Sequence, residues 1–261
     1  MNKGKELIEW IMSKGDPRVQ NWPLMESPWP VLSILILYLI TLRQGPKLME
    51  QQKPFQMSEF LVLYNLGLVL MSAYMFYEFF ISSYLAGYSY VCQPVDYSTN
   101  SLAIRMASVC WWYFFSKIIE LVDTVFLILR KKPISFLHVY HHSTMLLNWW
   151  LGVKFVAGGQ SWFLAMLNTF VHIIMYSYYG LTAVGPEIQK YLWWKKIPYS
   201  AAAGMYAQFF AVIIHTGINL CVECNFPAGY NVAVILYAFS LILLFGNFYR
   251  KTYRSKSEKS I

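Results

Sequence analysis

Apolar positions along this chain gather into long runs, not into alternating or narrow amphipathic patterns. The runs fall at 28–42, 60–84, 104–129, 134–156, 161–185, 198–221 and 230–249. Most reach the roughly 20 residues an α-helix needs to cross a hydrocarbon core about 30 Å thick. That core has no water for backbone N–H and C=O groups, so a helix that bonds them internally is the economical way across. The pattern predicts an all-α integral membrane protein with seven transmembrane helices. Its weakest run is 28–42, which is short and opens with Pro28 and Pro30, so it suits either a span or an interfacial segment.

Composition agrees: 57% of the 261 residues are hydrophobic, 18% aromatic and 13% charged, more apolar surface than a soluble core buries. The net charge of +8 raises a nucleic-acid reading, but the distribution of cations argues against it. With seven spans, Arg43, Lys47, Lys53, Arg130, Lys131, Lys132, Lys190, Lys195, Lys196 and the tail residues Arg250, Lys251, Arg254, Lys256 and Lys259 share one side. The loops near 85–103, 154–160 and 222–229 take the other side, with Lys154 as their clear cation. By the positive-inside rule the first side, with the basic tail 250–261, is cytosolic, and residues 1–28 are a non-cytosolic N-terminal segment. Residues 1–28 have no continuous apolar stretch of the kind a cleavable signal carries. No internal repeat appears, and a single integral domain over 1–261 is expected.

Three histidines stand inside the fourth run, in HVYHH at 138–142. On a helix His138, His141 and His142 project within an arc of roughly 100°. Ionisable groups at membrane depth are costly and by default mark a functional site. The third run carries KIIELVDT, in which Lys117 and Glu120 are spaced for an i, i+3 ion pair. Asp123 has no local cation and is expected to find a histidine on a neighbouring helix, fixing its tautomer. In the fifth run Asn168, His172 and Tyr176 form one stripe at i, i+4, i+8, with Tyr179 close by. His215, accompanied at helical spacing by Thr216 and Asn219, reads as structural. Cys92 and Cys224 both fall in non-cytosolic loops where an oxidising compartment lets thiols pair, with Cys221 a competing partner. Cys110 lies mid-span as an apolar filler.

Two chemistries suit such a constellation. Membrane di-iron sites need many nitrogen ligands, and five histidines, one of them structural, are too few. Three neighbouring histidines on about one turn also splay too widely to share one zinc, so no metal is expected. Acyl transfer through an imidazole nucleophile, with the remaining polar groups as base and orienters, needs no metal.

KIIELVDT, HVYHH, NTFVHIIMYSYYG, GPKLME, the C-x-x-VDYS stretch at Cys92 and GPEIQKYLWWKK, in this order, resemble the very-long-chain fatty-acid elongases of the endoplasmic reticulum, in particular the animal branch acting on long and very long acyl chains. The resemblance runs from about Asp16 to Arg254. It implies a 3-ketoacyl-CoA synthase that condenses a long-chain acyl-CoA with malonyl-CoA, releasing CO2 and needing no cofactor. It implies six of the helices in a barrel around an acyl tunnel, and a multi-pass protein of the endoplasmic reticulum membrane with a cytosolic C-terminus. Carried over by position, His141 is the nucleophile and His172 completes the site. His138, His142, Asp123 and Asn168 assist, with Lys117, Glu120, Tyr176 and Tyr179 in support. Cys92 and Cys224 match the family's lumenal bridge. Lys131, Lys132, Lys195 and Lys196 are the expected contacts for the phosphates of CoA. The expected partners are acyl-CoA, malonyl-CoA, the lipid bilayer and the other enzymes of the elongation cycle, with self-association into a homo-oligomer left open and nucleic acid excluded.

One motif departs from the family. Where a T-x-x-Q-x-x-Q stretch opens the sixth span, this chain has Ala202 and Met205 before Gln208. The alternative reading is therefore an inactive elongase-like membrane protein, or a lipid carrier, that binds acyl-CoA without turnover.

Overall fold

A computed structural model describes the backbone of residues 3–189 and 198–257 and the side chains of 3–189 and 204–251. The helices are α1 (Lys3–Ser13), α2 (Trp29–Leu48), α3 (Ser58–Leu85), α4 (Ser101–Glu120), α5 (Val122–Leu129), α6 (Phe136–Val156), α7 (Ser161–Val184), α8 (Pro186–Gln189), α9 (Pro198–Cys221) and α10 (Ala228–Ser257). No strand occurs among the described residues.

Local chemistry explains several boundaries. Pro30 occupies the first turn of α2, where its missing N–H costs nothing. Asn100 caps α4 by accepting from the Ala103 N–H at 2.8 Å, and Ser135 caps α6 by accepting from the His138 N–H at 3.2 Å. The short α6–α7 connection needs glycine: Gly158 and Gly159 have φ of 108° and 55°. A Cβ on Gly159 would come within 2.7 Å of Val95 Cγ2.

Among the described residues, four helices are long and apolar enough to cross a membrane: Trp29–Leu48, Ser58–Leu85, Gly204–Cys221 and Ala228–Lys251. The expected short first run is thus a full-length candidate span. The other long helices, α4, α6 and α7, fall short of that apolarity, because Arg105, Lys117, Glu120, the histidine cluster, Lys154, Asn168 and His172 lie on them. The third run, expected as one helix, is two. Leu121 N–H bonds to Ile118 O at 3.2 Å and Thr124 N–H to Leu121 O at 3.2 Å, a tightened turn of 3₁₀ type between α4 and α5.

Packing passes from α3 to α4, α4 to α6, α6 to α10, α10 to α9, α9 to α7 and α7 back to α3, and α2 lies against α5 and α6. Outward-facing Leu63 and Leu243 are 69% and 72% exposed, as suits helices solvated by lipid. The apolar core draws Met106, Phe114, Leu146, Val153 and Trp162 together with Val19 and Met25 of the N-terminal segment. Cys92 and Cys224 are joined by a disulfide at this end.

Candidate active site

The polar residues of four helices, α4, α5, α6 and α7, converge. On α6, starting at the Ser135 cap, the His138 and His142 rings lie 4.2 Å apart and those of His141 and His142 5.4 Å apart. His138 Nε2 is 2.7 Å from Thr124 Oγ1 on α5. Neither His141 nor His142 hydrogen-bonds through its ring to a described residue. Lys117, Glu120, His172 and His138 are the electrostatic neighbours of His141, whereas those of His142 are His141, His138, Glu120 and Lys117.

The stripe Asn168, His172, Tyr176 on α7 meets the KIIELVDT face rung by rung. Asn168 Oδ1 accepts from the Tyr113 hydroxyl and from Lys117 Nζ at 3.4 Å. His172 Nδ1 lies 3.4 Å from Glu120 Oε1, and the Tyr176 hydroxyl donates to Asp123 Oδ2 at 3.0 Å. Lys117 Nζ bonds Glu120 Oε1 at 2.7 Å and sits 4.3 Å from the centre of the Tyr113 ring. The Ser116 hydroxyl donates to Tyr113 O at 2.7 Å and lies 3.3 Å from Glu120 Oε1. Lys117 and Glu120 are only 1% and 2% exposed. Removing one member of a buried pair strands the other, at about 3–5 kcal/mol.

The geometry corrects one expectation. The carboxylate that reaches a histidine is Glu120; Asp123 is met by tyrosines. Lys117, Glu120 and Thr124 share a helical face at i, i+3, i+7, whereas Asp123 follows the tightened turn and meets Tyr176. Tyr179 stands 48% exposed beyond Tyr176, with their ring centres 6.2 Å apart.

Chemically, a carboxylate at Nδ1 of His172 favours the tautomer with an unprotonated Nε2. Asn168 keeps its Nδ2 free of described partners, a donor for a developing oxyanion. Among the described residues no group of three or more His, Cys, Asp and Glu side chains is gathered as a metal ion would need.

Other expected residues lie apart from this cluster. Lys131 Nζ donates to Glu50 O at 2.9 Å and Lys132 is exposed, both just before α6. Lys195 and Lys196 lie outside the described residues, as does the Ala202 side chain. His215 is buried, with Gln160 Nε2 3.1 Å from its Nε2 and the Phe163 ring 4.3 Å away. Sequence reading missed Tyr113, Tyr38 and Arg18, and gave Thr124, one of the polar residues of KIIELVDT, no role. Tyr113 and Thr124 carry a usable signal, being at i−4 and i+7 from Lys117 on the same face. Tyr38 and Arg18 carry none, since each reaches its partners from a distant segment.

A helical membrane protein in which half-buried histidines of one helix adjoin a buried histidine, carboxylate and lysine of two others is the class so defined. Residues 23–261 match the ELO: GNS1/SUR4 family. Human "Very long chain fatty acid elongase 4" is 54% identical over 256 residues, covering 97% of this chain and 81% of the human protein. The mouse protein of the same name is 52% identical over 259 residues, covering 98% and 82%. Rat "Very long chain fatty acid elongase 7" is 48% identical over 249 residues, covering 94% and 87%. The chain belongs to this family, the very long chain fatty acid elongases.

Proposed function

We propose that the chain is the condensing enzyme of very-long-chain fatty-acid elongation, a 3-oxoacyl-CoA synthase working through an acyl-imidazole on His141. The observation that carries this reading is Glu120, which joins the buried Lys117 at 2.7 Å and His172 at 3.4 Å across α4 and α7, on the helix against which the histidine box of α6 packs. A lone pair of the His141 ring attacks the thioester carbonyl of a long-chain acyl-CoA. The C–S bond breaks, and the thiolate leaves with the proton that the ring gives up. Malonyl-CoA then loses CO2, the electrons of the broken C–C bond becoming an enolate. Its carbon attacks the acyl-imidazole, and the imidazole leaves and recovers a proton. Asn168 serves as donor to the oxygen that becomes negative.

The cyclic packing order of α3, α4, α6, α10, α9 and α7 supports six helices as a barrel around an acyl tunnel, within a single seven-span domain over 1–261. The protein resides in the endoplasmic reticulum membrane with its basic tail cytosolic. Lys131, Lys132, Lys195 and Lys196 meet the CoA phosphates at the cytosolic mouth. No cofactor is required, and the other enzymes of the elongation cycle take the product onward.

Incubation with a long acyl-CoA alone should add an acyl mass to the peptide containing His141, with ping-pong kinetics in the full reaction. His141→Ala removes both signals, and His215→Ala leaves the adduct intact. Stoichiometric zinc or iron whose removal stops turnover, with no adduct under any condition, overturns the mechanism. The substitutions Ala202 and Met205 favour a second reading, a non-catalytic acyl-CoA binder. Binding without adduct or condensation, restored by Ala202→Thr with Met205→Gln, would establish it.

A further inference from the structure

We propose that α1 lies in the plane of the membrane as an interfacial anchor, its outer face taking the phospholipid surface of the leaflet at which α2 begins. The anchor needs only that α2 enters the bilayer and is independent of the acyl-transfer reading. Successive residues of an α-helix turn by about 100°, which divides α1 into three flanks of roughly a third of a turn each. Gly4, Ile8 and Met12 form the first. They share a cleft with Pro28 and Trp29 at the start of α2, and Met12 packs on the apolar core. Leu7, Trp10 and Ile11 form the second, and they are 56%, 61% and 41% exposed. Glu6, Glu9 and Ser13 form the third, all exposed, with Glu9 paired to Lys5 at 3.7 Å. One flank meets protein, the next is apolar and open, and the last is polar. That is the order around a helix seated where protein, lipid and water join.

Two further observations say what covers the apolar flank. The first is its level. Trp29, 60% exposed, stands in the opening turn of the candidate span Trp29–Leu48 and lines the cleft that α1 shares. A tryptophan there marks the boundary between hydrocarbon and headgroups, so Trp10 on the adjoining helix belongs to the same belt. The exit of α1 is tied close to it, because the Asp16 N–H bonds Lys154 O, in the last turn of α6, at 2.7 Å. The second observation is charge. Lys3 is at i−4 from Leu7 and Lys14 at i+4 from Trp10, so both cations project over the apolar flank. Lys14 Nζ lies 5.7 Å from the centre of the Trp10 ring. Glu6 and Glu9 sit on the opposite side of the helix. Ammonium groups at both ends of an apolar flank, on stems long enough to rise to the phosphates, suit a phospholipid surface.

The full-length protein in nanodiscs of phosphatidylcholine and phosphatidylglycerol tests this, with nitroxide labels placed one at a time through Leu7→Cys, Ile11→Cys, Glu9→Cys and Ser13→Cys. Cys221→Ser removes the exposed free thiol, and Cys110 is buried. Labels at positions 7 and 11 should relax with dissolved oxygen and be shielded from a water-soluble nickel chelate, with the reverse at 9 and 13. Leu7→Ser with Trp10→Ser should speed amide hydrogen exchange across α1 by at least about tenfold, because two large apolar side chains no longer hold the helix in lipid. Equal access of the nickel chelate to all four labels would mean a helix free in water and overturn the anchor, as would exchange indifferent to the double substitution. Shielding of positions 7 and 11 from both oxygen and nickel would mean that protein covers the flank, and would overturn the lipid assignment.

Discussion

Two buried polar clusters at different levels of this fold use charge in opposite ways. Between the N-terminal segment and α4, the Arg18 side chain is 2% exposed, and its guanidinium pairs with Asp16 and donates to the backbone carbonyls of Asp96, Ala103 and Ala157. Lys154 Nζ donates to Met25 O at 2.9 Å, and the Asp16 N–H to Lys154 O at 2.7 Å. Apart from Asp16, itself in the N-terminal segment, those acceptors are backbone carbonyls that never titrate, and the charges hold that segment against α4 and α6. In the histidine cluster the partners are themselves titratable: Lys117, Glu120 and His172 face one another, and His141 and His142 have rings without hydrogen bonds to described residues. A staple satisfies its donors with backbone; a reaction centre keeps acceptors that can change hands.

Substitutions should separate the two clusters. The largest effect is expected for Arg18→Met, which strands Asp16 and three carbonyls. Stability should fall by about 3–5 kcal/mol, seen as a lower yield of folded protein and a lower Tm, while turnover per folded molecule is unchanged. Opening the Cys92–Cys224 bridge with paired alanines should cost about 2–4 kcal/mol by the same measurements, again without changing turnover per folded molecule. Non-reducing peptide mapping should recover the two cysteines linked. Glu120→Gln should also cost stability, since it strands Lys117, but unlike Arg18→Met it should lower turnover per folded molecule on the order of a hundredfold. If Arg18→Met impaired catalysis in the folded fraction as much as Glu120→Gln, the contrast between staple and reaction centre would collapse.

The smallest effect concerns pH. In the 86–100 loop the Asp96 carboxylate is held below the usual range by the Ser98 hydroxyl and backbone N–H, with Asn100 and Arg18 assisting against desolvation. A carboxylate lowered in the folded state contributes stability above its unfolded value, and that contribution is lost as pH falls from about 4 through the folded value. Asp96→Asn should therefore flatten the acid limb of a Tm-versus-pH curve slightly and leave the neutral plateau nearly unchanged.

Periodicity made much of the site legible. Lys117, Glu120, the three histidines, Asn168 and His172 all follow helical spacing inside apolar runs, so their common faces are readable before any fold is known. Asp123 was misread because the turn at Leu121 breaks the third run, and its register passes to tyrosines beyond the break. Arg18 was invisible for a different reason. The N-terminal segment has balanced charges and no apolar period, so nothing local says that this one guanidinium is buried.

The sequence by itself determined the all-helical membrane class, the placement of most long helices and the membership of the polar faces, because burial in lipid leaves the backbone few options and helical spacing is a local property. Tertiary structure alone decided which carboxylate serves which imidazole, that Thr124, beside Tyr38, meets His138, and that Arg18 ties four segments together. Those pairings depend on a few ångströms of approach between segments distant in the chain, and no local pattern encodes such distances.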